Sequence, residues 1–188
     1  MRRLAQMAQE NSLNQLETEK ALKKAPKPLT LLKEIFRLSR EPERIEGYDI
    51  SNLGAKNQAA SMVVFTDGKP DKSQYRRFKI RRKGQDDTKA MAEAVGRRFR
   101  HDEWRTPDII LIDGGRAQVN AVKDLIPQGV FLLGLAKREE EIILPAKRRP
   151  LKLSKDNPAL HLLMAVRDEA HRFGRKYHRK LREKDFTG

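Results

Sequence analysis

The stretch PDIILIDGG, residues 107–115, is the most informative part of the sequence about the fold of this chain. Four apolar residues in a row follow Asp108, a pattern typical of a strand that is buried on both faces of a parallel sheet. The carboxylate of Asp113 comes next, and Gly114 and Gly115 follow it. Asp113 is therefore either a cap for the turn or a functional acid, because ligands of open α/β sheets lie at the carboxyl ends of the strands.

The elements around this stretch predict a mixed sheet. Strand patterns precede it at residues 44–50, 59–65 and 73–80, and an Asp-Gly turn separates the second from the third. Helices and strands then alternate, in the order helix 87–99, strand 108–112, helix 116–126, strand 130–136, short strand 141–144 and a long helix from residue 158. This order predicts an α/β fold in which an antiparallel meander of three strands joins parallel strands, with helices on both faces. Among known architectures it matches the RNase H-like fold.

A helical extension and linker are predicted to precede this domain, over residues 1–41. A narrow apolar stripe among Gln, Glu and Lys predicts a helix over residues 1–24, and two closely spaced prolines break it. A short helix over residues 29–38 follows. We expect the RNase H-like domain itself to occupy residues 42–188.

The chain is strongly basic, since its 188 residues include 41 Lys and Arg against 26 Asp and Glu, a formal net charge of +15. Such a field attracts polyanions, with nucleic acid the leading partner and an anionic membrane surface the second. No apolar run approaches the roughly 18 residues that span a bilayer. Cysteine is absent, which excludes disulfides and thiolate zinc sites. We expect a cytoplasmic, monomeric protein that binds DNA and no membrane.

Two strand-end acids, Asp49 and Asp113, are the leading candidates for chemistry. Each taken alone is most simply a turn cap, because turn residues follow both of them. The predicted topology, however, makes their strands neighbours, and like charges that close favour a cation between them. Hard oxygen ligands select Mg²⁺ or Mn²⁺. On this interpretation Gly114 and Gly115 leave room for the ion and for a close phosphate backbone.

A third acidic spot and a histidine have simpler explanations from the residues alone. Asp86 or Asp87 caps the helix at 87–99, and the helix dipole accounts for both acids without any chemistry. His171 lies on the final helix one turn from Arg167 and one turn from Arg175. A lone histidine on a basic helix is usually a surface residue, although a neutral imidazole there could take a proton or bind a metal.

Clusters of basic residues predict a track for the nucleic-acid backbone. Any one cluster could be a solvated face, but a run at residues 147–149 adds to two others in a chain of this charge. No base-reading motif is present, so we expect backbone contacts. The predicted DNA-binding residues are Arg76, Arg77, Lys79, Arg81, Arg82, Lys83, Arg172, Arg175, Arg179 and Lys180.

Six blocks of sequence together resemble one family. They are RIEGYDISN, AASMVVFTDGKPDKSQYRRFKI, GQDDTKAMAEAVGRRF, PDIILIDGGRAQVNA, LLGLAK and PALHLLMAVRDEAHRFGRKYHRKLR. In this order they resemble the C-terminal endonuclease domain of UvrC, the excinuclease subunit of bacterial nucleotide excision repair. The resemblance covers residues 44–182 and implies an RNase H-like domain that makes the 5′ incision beside a DNA lesion.

The resemblance also implies roles for particular residues. Asp49, Asp113 and His171 match a catalytic triad that holds a divalent ion, and Asp87 matches a further acid that the family needs. The block usually written ISH appears here with Asn52 as its last residue. No GIY-YIG nuclease motif, helix-hairpin-helix pair or evident UvrB-binding motif is found in these 188 residues. We therefore expect either a piece of a longer protein or a reduced relative, with a UvrB-type repair protein as a further partner.

The predicted function is metal-dependent hydrolysis of a DNA phosphodiester, with Mg²⁺ or Mn²⁺ as cofactor and His171 as metal ligand or general base. Three alternatives stay open at this point. One is an RNase H-like endonuclease that acts on deaminated bases, and another is an RNA-directed enzyme. The third is a nucleic-acid-binding module with weak or no catalysis.

Overall fold

The computed structural model describes residues 27–53, 57–82, 84–137 and 139–185. The helix predicted over residues 1–24 lies outside the described residues. In chain order the elements are helix α1 (Pro28–Phe36), strands β1 (Arg44–Leu53), β2 (Asn57–Thr66), β3 (Lys69–Pro70) and β4 (Arg76–Lys79), helix α2 (Asp87–Arg98), strand β5 (Ile109–Asp113), helix α3 (Arg116–Val122), strands β6 (Phe131–Ala136) and β7 (Glu141–Ile143), and helix α4 (Pro158–Asp185).

The seven strands form one mixed sheet in the order β3-β2-β1-β5-β6-β7, with β4 also paired to β2. β1 and β2 are antiparallel, whereas β1, β5 and β6 run parallel to one another, and β7 is antiparallel to β6. The predicted mixed α/β fold is confirmed. The parallel centre places the carboxyl ends of β1 and β5 side by side.

The third predicted strand is wrong in one respect, because residues 73–80 do not form a single strand. Lys72–Gln74 form a turn of 3-10 helix, and only Arg76–Lys79 pair with β2. The Asp71 side chain accepts hydrogen bonds from the Ser73 hydroxyl and the Gln74 amide. Such local bonds compete with extended structure, which explains the break.

Two apolar clusters cover the two faces of the sheet. Along β5 the side chains alternate, so that Ile109 and Leu111 join the cluster under α1 and α4, and Ile110 and Ile112 join the cluster under α2 and α3. All four are fully buried. The continuous apolar run of β5 therefore reflects burial on both faces, as its sequence predicts.

Helix α4 lies directly on β1 and runs in the same direction. A side chain on Gly47 would meet Val166 Cγ1 at 2.5 Å, and one on Gly174 would meet Ser51 Oγ at 2.5 Å. The eight residues from 166 to 174 rise about 12 Å along a helix, and the four from 47 to 51 rise about 13 Å along a strand. The two elements therefore stay in contact over this length, which fixes α4 against the carboxyl end of β1.

Helix α1 packs on the same face as α4. Leu32 is fully buried there, and the ring of Phe36 stacks on Phe131 with 4.8 Å between centroids. The proposed division between residues 1–41 and 42–188 stays a prediction. Among the described residues, no helix combines the length and the hydropathy that a bilayer crossing requires.

Candidate active site

The strand register brings Asp49 and Asp113 together. Gly47 on β1 pairs with Leu111 on β5, two residues before each acid. Because strand side chains alternate between faces, both carboxylates point to the face that α4 covers. His171 approaches from α4, and one ligand atom from each of the three residues lies within 4.8 Å of the others. The structure therefore places these three predicted site residues in one cluster.

Two atoms of this cluster are buried and have no hydrogen-bond partner among the described residues: Asp113 Oδ2 and His171 Nδ1. Lys137 Nζ lies 3.2 Å from Asp113 Oδ2, and Asp49 Oδ1 lies 3.5 Å from His171 Nδ1, but neither contact has hydrogen-bond geometry. A buried polar atom without a partner is costly. These two atoms thus have lone pairs available for an ion.

The electrostatics of Asp49 point the same way. Burial and, after it, the neighbouring Asp113 carboxylate raise the pKa of Asp49 to about 6, and His171 opposes the rise. The Ser51 hydroxyl donates to Asp49 Oδ2 at 3.2 Å. Two carboxylates and an imidazole form a donor set suited to a divalent cation such as Mn²⁺ or Mg²⁺. The residues present therefore fit the ion that the sequence predicts.

Gly174 brings the α4 backbone against this cluster. A side chain there would meet Ser51 Oγ at 2.5 Å, Ser61 Oγ at 3.0 Å and Asp49 Oδ2 at 3.1 Å. His171 lies one helical turn before Gly174. The absence of a side chain at Gly174 thus allows the helix to bring His171 within reach of Asp49.

Asp87 belongs to the opposite face of the sheet. Its carboxylate accepts a hydrogen bond of 2.8 Å from Gln58, which also donates to Asn52 at 2.9 Å. Gln58 alternates with Ser61, which faces Asp49, and so points towards α2. The helix cap is Asp86, whose carboxylate accepts from the two backbone amides that follow Asp87. A catalytic role for Asp87 stays a prediction.

The predicted DNA-binding residues fall into three groups. Some have partners within the protein: Arg76 donates to the carbonyl of Tyr75, Arg77 lies 3.8 Å over the Phe173 ring, and Arg172 pairs with Glu169. Others are exposed, namely Lys79, Arg81, Arg82 and Arg175. The side chains of Lys83, Arg179 and Lys180 lie outside the described part of the chain. Contact of these residues with DNA stays a prediction.

Sequence reasoning missed Lys137 as a site residue. It follows β6, whose Leu135 pairs with Asp113, and its ammonium reaches the Asp113 carboxylate. The sequence could have indicated this residue, because a basic residue that directly follows a strand beside β5 lies at the same edge of the sheet as Asp113.

The interpretation of Gly114 as space for an ion is not what the structure shows. A side chain at Gly114 would meet Gln118 Cγ at 2.9 Å. The Gln118 side chain folds back to accept a hydrogen bond of 3.1 Å from the Gly115 amide. The glycine therefore makes room for the residue that caps α3. At Gly115 a side chain would lie no closer than 4.0 Å to its neighbours.

Comparison with known proteins identifies the family. The sequence model of the UvrC RNAse H endonuclease domain matches residues 33–174. UvrABC system protein C of Dehalococcoides mccartyi is 47% identical over 169 residues, which cover 83% of this chain and 28% of that protein. The protein of the same name from Carboxydothermus hydrogenoformans is 47% identical over 93% of this chain and 30% of its own length. The chain thus spans under a third of the length of these relatives.

Solved structures of endonuclease V are similar at low sequence identity. Ciona intestinalis endonuclease V, in complex with a 23mer DNA containing an inosine followed by a ribo-adenosine, superposes with a TM-score of 0.50 and 12% identity over 77% of this chain and 88% of that one. Human endonuclease V gives a TM-score of 0.49 and 15% identity over 74% of this chain and 85% of that one. The predicted RNase H-like architecture is confirmed. On its sequence match, the chain belongs to the family of the UvrC RNase H endonuclease domain, a family of nucleases.

Proposed function

We propose that this domain is a divalent-metal-dependent DNA endonuclease that hydrolyses one phosphodiester, as in a 5′ incision of nucleotide excision repair. The observation that carries the proposal is the convergence of Asp49, Asp113 and His171, with buried donor atoms that lack partners among the described residues. Membership of a nuclease family supports the reaction class. The net charge of +15 supports a polyanionic substrate.

Each residue of the cluster has a part in this reaction. Asp49 and Asp113 would hold the cation, and His171 would either complete its ligands or accept a proton from the attacking water. When bound there, Mg²⁺ or Mn²⁺ would supply polarisation of the phosphate and a lower pKa for water. Lys137, 59% exposed, holds a positive charge at the rim, where a phosphate would approach Asp113. α4 orients His171 because Gly174 permits its close approach.

The relatives support a proposal about repair partners. The proteins named UvrABC system protein C share the sequence of this domain within a longer chain. We propose that the domain acts on DNA in a UvrABC-type system and with a UvrB-type protein. The exposed basic residues Lys79, Arg81, Arg82 and Arg175 are the proposed contacts with the backbone.

The test is nicking of damaged duplex DNA with Mn²⁺. Removing a ligand from the ion costs several kcal/mol of transition-state stabilisation, roughly a thousandfold in rate. Asp49→Asn and Asp113→Asn should therefore lose roughly that much activity, and calorimetry should show weaker Mn²⁺ binding. Asp86→Asn is the matched control, because asparagine caps a helix as well as aspartate. Wild-type nicking by Asp113→Asn would exclude the site.

We further propose that Asp87 positions the end of β1 through Gln58 and Asn52. Asp87→Ala should then lower the nicking rate while Mn²⁺ binding stays near that of wild type. Loss of Mn²⁺ binding in Asp87→Ala would instead make Asp87 part of the ion site, and unchanged nicking would remove it from the mechanism.

A further inference from the structure

A basic loop, residues 145–150 with the sequence PAKRRP, follows β7. Its Lys147, Arg148 and Arg149 side chains are exposed, and within the described residues none of them has an ion pair or hydrogen bond. Two other basic side chains in this part of the chain are paired with acids. Lys152 pairs with Glu139 and Glu141, and Arg167 with Glu140 and Asp168. The basic loop therefore keeps three adjacent charges towards solvent.

The backbone of this loop is held in place. The two terminal nitrogens of Arg116 donate to the carbonyl oxygens of Lys147 and Arg148, each at 2.9 Å. At the base of the loop, Ile142 and Leu151 exchange backbone hydrogen bonds of 2.9 and 2.8 Å. A fourth positive charge thus anchors a loop that already has three. Stability alone does not favour this arrangement, because like charges close together repel.

The loop leaves β7 at the end away from Asp113, because β7 is antiparallel to β6, and Arg116 connects it back to the segment that follows Asp113. Arg116 is the first residue of α3 and follows Asp113 by three positions. In the sheet, β1 and β5 lie between β4 on one side and β7 on the other. Five strand spacings of about 4.8 Å separate β4 from β7, roughly 24 Å. That length corresponds to about seven base pairs of duplex at 3.4 Å each.

We propose that the basic loop is a second contact for the DNA backbone, on the β7 side of the cut. The exposed basic residues of β4 and its exit lie on the other side, so in the order of the strands Asp49 and Asp113 lie between the two phosphate contacts. Arg116 is a positioning residue, since it holds the loop backbone and leaves the three side chains to the phosphates. The inference rests on the proposed function only in taking DNA as the substrate.

Binding measured without metal tests this surface. Each phosphate contact contributes about 0.9 to the slope of log affinity against log salt for duplex DNA. The triple variant Lys147→Gln, Arg148→Gln, Arg149→Gln should reduce that slope by up to about 2.7 and weaken binding about tenfold or more at moderate salt. The measurement is fluorescence anisotropy of a labelled duplex in EDTA at several NaCl concentrations, on the complete chain.

A second triple variant provides the control. Lys69→Gln, Lys72→Gln, Arg100→Gln removes the same charge from exposed positions, and β3 pairs with the end of β2 that lies beside the start of β1, away from Asp49. It should reduce the slope by clearly less than the loop variant. Equal effects of the two variants would show a general charge effect and overturn the proposal. Thermal unfolding of both should match wild type, since every substituted side chain is exposed.

Arg116 tests the anchor. Arg116→Gln should weaken binding more than Arg100→Gln, although both lose one charge, because only the first releases the loop. Equal weakening would remove the positioning role. Failure of this inference is distinguishable from failure of the proposed function. The former appears as a wild-type salt slope in the loop variant, and the latter as nicking that is indifferent to Asp113→Asn.

Discussion

Strand β1 has a buried carboxylate on each face, and the two have opposite surroundings. Glu46 is fully buried on the α2 face, where Arg98 donates to both of its oxygens, Arg44 donates to Oε1 and the Tyr48 hydroxyl donates to Oε2. Asp49, three residues later on the α4 face, has one hydroxyl donor from Ser51 and a second carboxylate beside it. One acid is satisfied by protein groups, and the other is not.

The difference separates an acid that stabilises the fold, Glu46, from an acid that is available for a ligand, Asp49. A buried carboxylate whose acceptors are all used locks its partners and has no capacity for a ligand. A pair of carboxylates with few donors is destabilised until a cation joins it. The same strand therefore stabilises the fold at Glu46 and leaves a site at Asp49. Satisfaction by hydrogen-bond donors, rather than burial or charge, distinguishes the two.

Breaking the hydrogen-bond network around Glu46 should produce the largest change in the free energy of unfolding. Arg98→Met leaves Glu46 with Arg44 and Tyr48 alone in a buried setting, and removal of one partner of a buried ion pair costs about 3–5 kcal/mol. We expect a loss of that size in the free energy of unfolding, measured by urea titration. Arg105→Met is the control, since Arg105 pairs with Glu43 at the surface, and its urea midpoint should stay near wild type. A small effect of Arg98→Met on stability would contradict the proposed difference between Glu46 and Asp49.

The unsatisfied pair of carboxylates, Asp49 and Asp113, should make the free energy of unfolding depend on pH. The folded pKa of Asp49, about 6, lies above its usual value of 3.8, so the folded protein binds this proton more tightly than the unfolded chain. The contribution of Asp49 to stability is then fully present below about pH 4 and is lost as the pH rises to about 6, by up to about 3 kcal/mol. Asp49→Asn lacks this dependence. In metal-free buffer the variant should therefore gain on wild type across this window, as measured by urea titration at several pH values.

Addition of Mn²⁺ provides the check on that experiment. The ion should restore wild-type stability above pH 6 and have little effect on Asp49→Asn. A difference between variant and wild type that stays constant from pH 4 to pH 8 would contradict the unsatisfied pair.

The candidate site at Asp49 and Asp113 was more predictable from the sequence than the hydrogen-bond network around Glu46. Four apolar residues before Asp113 identify a two-sided strand, and the order of elements then makes its strand a neighbour of that of Asp49. His171 needed the resemblance to the family, because a helix residue gives no sign of which strand it reaches. Glu46 and Arg98 lie 52 positions apart, and nothing local marks them as partners.

Other features depended on side-chain contacts that a periodic pattern does not contain. The family resemblance predicts that Asp87 is needed but not that it lies on the far face, where Gln58 binds it. The glycine at 114 is adjacent to Asp113 in sequence, yet its space is taken by Gln118. The third strand was broken by the local hydrogen bonds of Asp71. In each case a side chain close in space, rather than the periodicity, decided the outcome.

A substitution at Gly174 can perturb the site around Asp49 without creating a cavity in the core. Gly174→Ala crowds Ser51, Ser61 and Asp49, so α4 must shift or Ser51 must rotate away. We expect Mn²⁺ affinity to fall about tenfold, roughly 1.4 kcal/mol, while stability changes little because alanine favours the helix by about 1 kcal/mol. Calorimetry and thermal unfolding measure the two effects.

Gly96→Ala is the matched control for that variant. Gly96 also lies within a helix, but a side chain there meets only Leu125 Cδ1 at 3.8 Å, an ordinary contact. It should raise stability by about 0.5–1 kcal/mol and leave Mn²⁺ binding unchanged. Wild-type Mn²⁺ affinity in Gly174→Ala would show that the close approach of α4 does not set the site.

Lys137 should give the smallest effect, because it approaches Asp113 from the solvent-exposed rim of the site. Its ammonium lies 3.2 Å from Asp113 Oδ2 but is 59% exposed, and such pairs contribute less than about 1 kcal/mol. A divalent ion at Asp113 must compete with this charge, so Lys137→Met should bind Mn²⁺ a few-fold more tightly and still nick DNA more slowly if the lysine contacts the phosphate. Calorimetry and single-turnover nicking measure the two quantities separately. Weaker Mn²⁺ binding would instead mean that Lys137 orders Asp113 for the ion. A protein cation would then partly preorganise the Asp49 and Asp113 pair, as Arg44 and Arg98 do for Glu46.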